Sequence, residues 1–277
     1  MSRRMIGPQR IVCLTEETTE WLYLLGEQER IVGISGFTVR PAQARREKTR
    51  VSAFTSAKIE RIVALQPDLV LGFSDLQADI AADLVRAGLA VHIFNQRSIA
   101  EIFEFMGVLA RMVGAQRRAQ TLVGRMRRSL EGVRREAARL PCRPRVYFEE
   151  WDGPLISGIR WVGELVTIAG GEECFGELSV QPHAKARIIA DPLEVVRRAP
   201  DVFIASWCGK KFNPQSVRER PGWASIPAVR HGRLFSVPSS EILQPGPAAL
   251  TDGLARLHRI IAQCAREMGG PEARSER

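Results

Sequence analysis

The sequence predicts an α/β protein of two lobes, each a mainly parallel sheet covered by helices, joined by one long helix. Three observations carry this. Short apolar runs of strand length alternate with helical stretches of about 10–15 residues, the order expected of βαβ units. The alternation stops between Ser98 and Leu140, where helical periodicity runs without a strand, and it resumes after Pro144. Finally, residues 59–70 echo residues 192–203: each reads as a short helix, then Pro-Asp, then a buried strand, with Pro67 and Pro200 lying 133 positions apart. A motif repeated in register with the same flanking elements indicates two lobes of one plan. The expected boundaries are 1–113 for the N-terminal lobe, 114–141 for the bridging helix and 142–277 for the C-terminal lobe with its closing helix.

Taken in order, Arg10–Leu14 is a strand, and Thr15 is placed as the N-cap of a helix with Glu16 and Glu17 in its first turn. Trp21, Leu22, Leu24 and Leu25 have helical spacing, and Gly26 supplies the stop. Ile31–Ile34 is a second strand, followed by a loop to Ala53 that holds Pro41 and several arginines. Ser56 opens a helix through Leu65 with Ile59, Ile62, Val63 and Leu65 on its buried side. Pro67-Asp68 ends it before the strand Leu69–Phe73. A helix over Asp75–Ala87 ends at Gly88, and Ala90–Phe94 is the next strand. The long helical stretch breaks near Gly114. Beyond it Ala119, Leu122, Met126, Leu130, Val133, Ala137 and Leu140 form one apolar stripe at steps of three and four, with Arg118, Arg125, Arg128 and Arg135 opposite. After Pro141 and Pro144 come a strand Arg145–Glu149, a helix Val162–Ala169, a helix Pro192–Arg198, strands Val202–Ser206 and Leu234–Val237, and a closing helix Ala248–Met268.

At 277 residues, 45% hydrophobic and 26% charged, the chain has material for a large core and lies outside the disordered and collagen-like classes. No run approaches the ~18 apolar residues of a membrane span. The formal charge is +9, yet only five of the forty cations are lysine and the arginines are scattered. Such diffuse charge, without a recognition motif, argues against nucleic acid as partner. Five cysteines without a CxxC pair argue against a zinc site and a disulfide framework. The first ten residues have a basic start and no apolar leader core, so the chain as written reads as cytoplasmic.

Ligands of open α/β sheets bind beyond the carboxyl ends of the strands. Those positions hold Thr15, Glu16, Gly36, Phe37, Phe73, Ser74, Asn95 and Gln96 in the first lobe. In the second they hold Glu149, Glu150, Trp151, Trp161, Trp207, Cys208, Ser239 and Gln244. Three of the five tryptophans fall there, which suits a large, partly apolar ligand in an inter-lobe cleft, although Trp151 and Trp161 also fit a packed core. Enzyme signatures are missing: there is no GxSxG, HExxH, Walker or GxGxxG pattern. Glu149 and Glu150, as strand neighbours, point to opposite faces and cannot act as a carboxylate pair. His92, His183, His231 and His258 are never within metal-ligand spacing of one another. No metal site is expected, with His183 and Cys208 the residues best placed to touch a ligand's metal.

Several stretches carry a resemblance: Arg10-Ile11-Val12-Cys13-Leu14 with Thr19-Glu20 and Leu24-Leu25-Gly26, and Glu60-Arg61-Ile62-Val63-Ala64-Leu65 with Pro67-Asp68-Leu69-Val70. Together with two lobes on one long helix, they resemble the helical-backbone (class III) substrate-binding proteins of ABC importers, which carry cobalamin, ferric siderophores, haem or metal ions. The likeness extends from Arg10 to about Met268. Glu149-Glu150-Trp151, Pro154-Leu155, Ala169-Gly170-Gly171, Trp207-Cys208-Gly209 and Gln244-Pro245-Gly246-Pro247 are similar to the cobalamin-binding branch. The resemblance implies a non-catalytic, monomeric binder of cobalamin or another corrinoid, with no catalytic cofactor and with an ABC permease dimer as partner. A ferric-siderophore or haem binder of the same fold is an alternative, and so is a cytoplasmic metal-tetrapyrrole chaperone or enzyme. Family members are exported, so a leader upstream of this chain would make it periplasmic. They dock through one glutamate per lobe: Glu60 matches the first, whereas the internal repeat places Leu193 at the second. The adjacent Glu194 is the substitute, turned about 100° around its helix.

Overall fold

The computed structural model describes residues 7–270. Met1–Ile6, part of the segment read above as lacking a leader core, lies outside the described residues. The chain forms two compact units, one running to Arg125 and including Gln244–Pro247, the other comprising Met126–Leu243 and the residues from Ala248 on.

In the first unit β1 (Ile11–Cys13), β2 (Ile31–Ser35), β3 (Thr49–Ser52), β4 (Leu69–Phe73) and β5 (Val91–Phe94) make one five-stranded sheet in the order β3-β2-β1-β4-β5, with every pairing parallel. The central strand β1 is fully buried, as expected of parallel sheets covered on both faces. Helix Glu16–Leu25 ends at Gly26, whose φ of 76° is the left-handed stop its sequence signalled. Thr15 sits at the expected N-cap but its side chain does not cap; the hydroxyl turns instead to Glu17. The supposed loop to Ala53 holds a short helix, Ala42–Glu47, and the edge strand β3. Only Val51 of β3 is buried, so no alternation marked it. Helix Ile59–Ala64 is shorter than expected, beginning after Lys58 rather than at Ser56, and Val63 is 40% exposed rather than on the buried side.

Helix Ile99–Met112 opens with a reciprocal capping box between Ser98 and Glu101, in which each side chain takes up a backbone N–H of the other. Gly114, at φ 72°, separates it from helix Gln116–Ala137. Of the stripe on this second helix, Ala119, Met126 and Leu130 are buried, and Arg118, Arg125, Arg128 and Arg135 are exposed. The division between the units falls inside this helix, between Arg125 and Met126. No helix among the described residues is long and apolar enough to cross a membrane.

The second unit holds β6 (Arg145–Asp152), β7 (Leu155–Ser157), β8 (Glu172–Glu173), β9 (Val202–Ala205) and β10 (Leu234–Ser236). Their order is β10-β9-β6-β7, with β8 also on β6; all pairings are parallel except β6–β7. β6 runs three residues past its expected end because it forms a hairpin with β7, a strand too short to show a period. The core gathers Tyr147, Phe175, Phe203, Trp207 and Trp223, and Tyr147 meets Phe203 and Trp223 edge-on at 5.6 and 6.1 Å, an arrangement that adds to area burial. The closing helix Leu254–Gly269 is entered through a π-helical turn, Ala249–Gly253.

The internal echo has a shared structural cause. The Asp68 carboxylate accepts the backbone N–H groups of Gln9 and Arg10 at 2.6 and 2.9 Å, at the start of β1. The Asp201 carboxylate accepts that of Arg145, at the start of β6, at 2.9 Å. Each Pro-Asp follows a non-glycine residue with positive φ, Gln66 at 47° and Ala199 at 42°. In both units the motif turns the chain from helix into strand and ties the new strand to the central one.

Candidate functional site

Because the first sheet is wholly parallel, the carboxyl ends of its five strands share one edge, and the loops leaving that edge carry the candidate residues. Phe37, after β2, is 55% exposed. Phe73, by contrast, is buried beneath the Arg97 guanidinium, 5.1 Å from its ring centre, and serves the core. Ser74 is buried at φ 69° and its hydroxyl accepts the Leu76 N–H, so it forms the turn that leaves β4. Asn95 is exposed, with its side-chain carbonyl accepting Arg97 Nη2 at 2.9 Å. Gln96 is buried and donates to the Pro245 carbonyl at 3.0 Å.

That last bond corrects the placing of Gln244. Chain order assigned it to the second lobe, but Gln244–Pro247 packs with the first unit. A Cβ on Gly246 would fall 2.5 Å from Glu17 Cβ, so only glycine allows this approach.

The turn after β1 concentrates buried acid. Glu16, Glu17 and Glu20 are 8%, 1% and 8% exposed. Glu16 Oε2 accepts the Val39 N–H at 3.3 Å, and Glu20 pairs with Arg40 at 2.9 Å. Glu17 Oε1 accepts the Thr15 hydroxyl, while its Oε2 makes no hydrogen bond. Burial pushes the carboxyls of Glu16 and Glu17 up to about 7, because a low-dielectric site disfavours the charged form. Sequence reasoning singled out Glu16 and passed over Glu17. The available signal was two consecutive acids opening a helix directly behind a buried strand.

In the second unit Glu149 and Glu150 face opposite ways, as strand geometry requires. Glu149 is fully buried and accepts both Nη groups of Arg220 at 2.6 and 2.8 Å, the Tyr147 hydroxyl at 3.0 Å and the Trp207 indole N–H at 3.1 Å. Glu150 takes the buried Arg187 at 2.6 and 3.1 Å. Both are therefore structural ion pairs. Trp207 is 6% exposed within the core cluster. Trp161 lies inside helix Arg160–Ile168 rather than in a loop, is 2% exposed, and donates to the Ile242 carbonyl at 2.9 Å. These two tryptophans are core side chains. Trp151 is half-buried, with its N–H on the Gly153 carbonyl at 3.0 Å. Cys208 is exposed, and beside it Lys210 pairs with Asp152 and stands 5.1 Å from the Trp207 ring centre. Ser239 heads the short helix Ser239–Ile242. His183 is exposed. Among the described residues no three His, Cys, Asp or Glu side chains gather as a metal centre, at His183, Cys208 or elsewhere.

The two docking candidates differ. Glu60 is exposed on helix Ile59–Ala64. Glu194 is half-buried and bonded to Arg197 at 2.7 Å and Arg198 at 2.8 Å, and these guanidinium contacts lower its carboxyl below the ordinary value. Leu193, at the position the repeat pairs with Glu60, is 47% exposed.

The family described as periplasmic binding protein matches residues 11–241. An ABC transporter substrate-binding lipoprotein of Bacillus subtilis, YvrC, is 25% identical over 92% of this chain and 80% of its own. The vitamin B12-binding protein of Vibrio campbellii is 26% identical over 86% and 85%. Among solved structures, the periplasmic heme-binding protein RhuT of Roseiflexus, in its apo form, superposes with a TM-score of 0.79 at 22% identity, covering 94% of this chain and all of the other.

Proposed function

The chain belongs to the periplasmic binding protein family, and from that premise we propose that it is a non-catalytic receptor for a corrinoid, serving an ABC importer as its substrate-binding component. The observation that carries the reading is the likeness to a vitamin B12-binding protein, over 86% of this chain and 85% of that one. Accessible side chains suit such a ligand: Phe37 in one unit and Trp151 in the other each offer aromatic surface, and Asn95 and Gln244 offer polar groups. Of the two expected locations, the family and the lipoprotein relative favour the one outside the cytoplasm. Glu60 is the permease contact we assign to the first unit. Glu194, held by two arginines, is poorly placed to supply a second.

Titration of the purified protein with cyanocobalamin, followed by tryptophan fluorescence, tests the reading. Saturable one-to-one binding is expected, weakened by about tenfold or more in Trp151→Ala, as for a contact worth over 1 kcal/mol. The absence of saturable binding overturns it. The likeness in fold to a heme-binding protein supports a second reading, which saturation by hemin but not by cyanocobalamin would establish.

A further inference from the structure

Three buried oxygens of the first unit make no hydrogen bond: Glu17 Oε2, Gln96 Oε1 and Thr38 Oγ1, on residues 1%, 4% and 0% exposed. They come from three separate segments. Glu17 lies on the turn after β1, Gln96 follows β5, and Thr38 follows β2, one residue before the Val39 N–H that binds Glu16. Glu17 and Gln96 both pack on Pro245-Gly246. Buried acceptors are ordinarily satisfied, and an orphan requires an explanation.

The charges that act most on Glu17 share one sign. Glu16 and Glu20 act on Glu17 from its own helix. Arg40, paired with Glu20, and Arg45 act on Glu16, and Arg97, next to Gln96, is bonded to Asp75 and Asn95. Gln244–Pro247 and Asn95-Gln96, the other segments here, carry no charge, and the neighbouring Cys13 thiol is pushed up by burial to about 12 and stays neutral. Phe37 and Val39, on either side of Thr38, are 55% and 40% exposed, so Thr38 lies one residue from solvent.

Resting on the corrinoid reading, we infer that Glu17, with Gln96 and Thr38, forms a subsite that selects ligand edges bearing N–H donors, such as primary amides, and rejects edges bearing carboxylates. Glu17 is its specificity-determining residue. An amide N–H satisfies an orphan acceptor; a carboxylate offers no donor and meets a buried negative charge.

The test compares cyanocobalamin with its monocarboxylic acids, in each of which one side-chain amide is hydrolysed. At pH 8 the parent should bind at least one acid about tenfold or more weakly than cyanocobalamin. Glu17→Gln should narrow that gap to within about threefold. Should the variant fail to fold, the parent alone still decides: lowering the pH from 8 to 5.5 protonates Glu16 and Glu17 and should shrink the gap. Equal affinity of the parent for the amide and for every acid overturns the inference and leaves the corrinoid reading standing. So does a gap unchanged by the variant and by pH. Failure of the parent to bind cyanocobalamin at all overturns both.

Discussion

The carboxyl edges of the two sheets each present a buried carboxylate, and the two are furnished in opposite ways. Glu149 receives four N–H or O–H groups, two of them from Arg220. Glu17 has the Thr15 hydroxyl on one oxygen and nothing on the other. Burial is common to both, so burial alone does not distinguish a structural acid from one held ready for a ligand. The donor count does. Glu149 is answered from the core of its own unit, whereas Glu17 is not; orphaned oxygens occur in the second unit as well, on Glu173 and on Ser206 after β9.

Breaking the second edge should have the largest effect. Arg220→Met strands Glu149 in the core and should cost about 3–5 kcal/mol in urea unfolding, the usual penalty for removing one partner of a buried pair. Because Trp207 shares that carboxylate, its fluorescence should shift as well.

At the first edge the sign reverses. Glu17 has an ordinary value of 4.5 and a folded value of about 7, so the folded chain binds its proton more tightly than the unfolded one. Its contribution is most favourable below about pH 4.5 and is lost as pH rises to about 7. Glu17→Gln should therefore stabilise the ligand-free protein at pH 8, by up to about 3 kcal/mol, and by little at pH 5. Glu173, raised by burial to about 8, adds a slope of the same sign from the second unit, so the informative quantity is the difference between parent and variant in urea midpoint. A variant that loses stability at pH 8 would show Glu17 to be as structural as Glu149.

The amino edges sharpen the comparison, because there the units agree. Asp68→Ala and Asp201→Ala should each cost about 1–2 kcal/mol in thermal or urea unfolding, with Asp68 the larger since it holds two N–H groups rather than one. The smallest effect belongs to Glu60→Ala. As an exposed side chain it should leave stability within about 0.5 kcal/mol of the parent, yet weaken binding to the reconstituted permease. Unchanged permease affinity would remove Glu60 from the interface.

What the sequence disclosed follows the same division. Leu69–Phe73 was legible to the residue because a Pro-Asp corner bounds an apolar run. The Ser98–Leu140 helices were legible from their stripe and from Gly114. β3 and β7 were not: one has a single buried side chain, the other three residues. For the site, sequence located the edges but not the direction of each side chain. Trp207 and Trp161 stand beside the expected positions and turn inward, where Glu149 and the Ile242 carbonyl receive their N–H groups. Glu17 escaped notice because the shortage of donors that sets it apart depends on segments distant in sequence.

The placement of Gln244–Pro247 has a consequence for biosynthesis. The chain changes unit after Arg125, after Leu243 and again after Pro247. Gln96 finds its Pro245 partner 149 residues downstream. On the ribosome the first unit therefore emerges early with its acidic turn unsealed, and it waits for nearly the whole second unit to be translated before four late residues close over Glu17. A nascent chain stalled short of Gln244 should be cut by protease near the Thr15–Glu20 turn, and one released beyond Pro247 should resist.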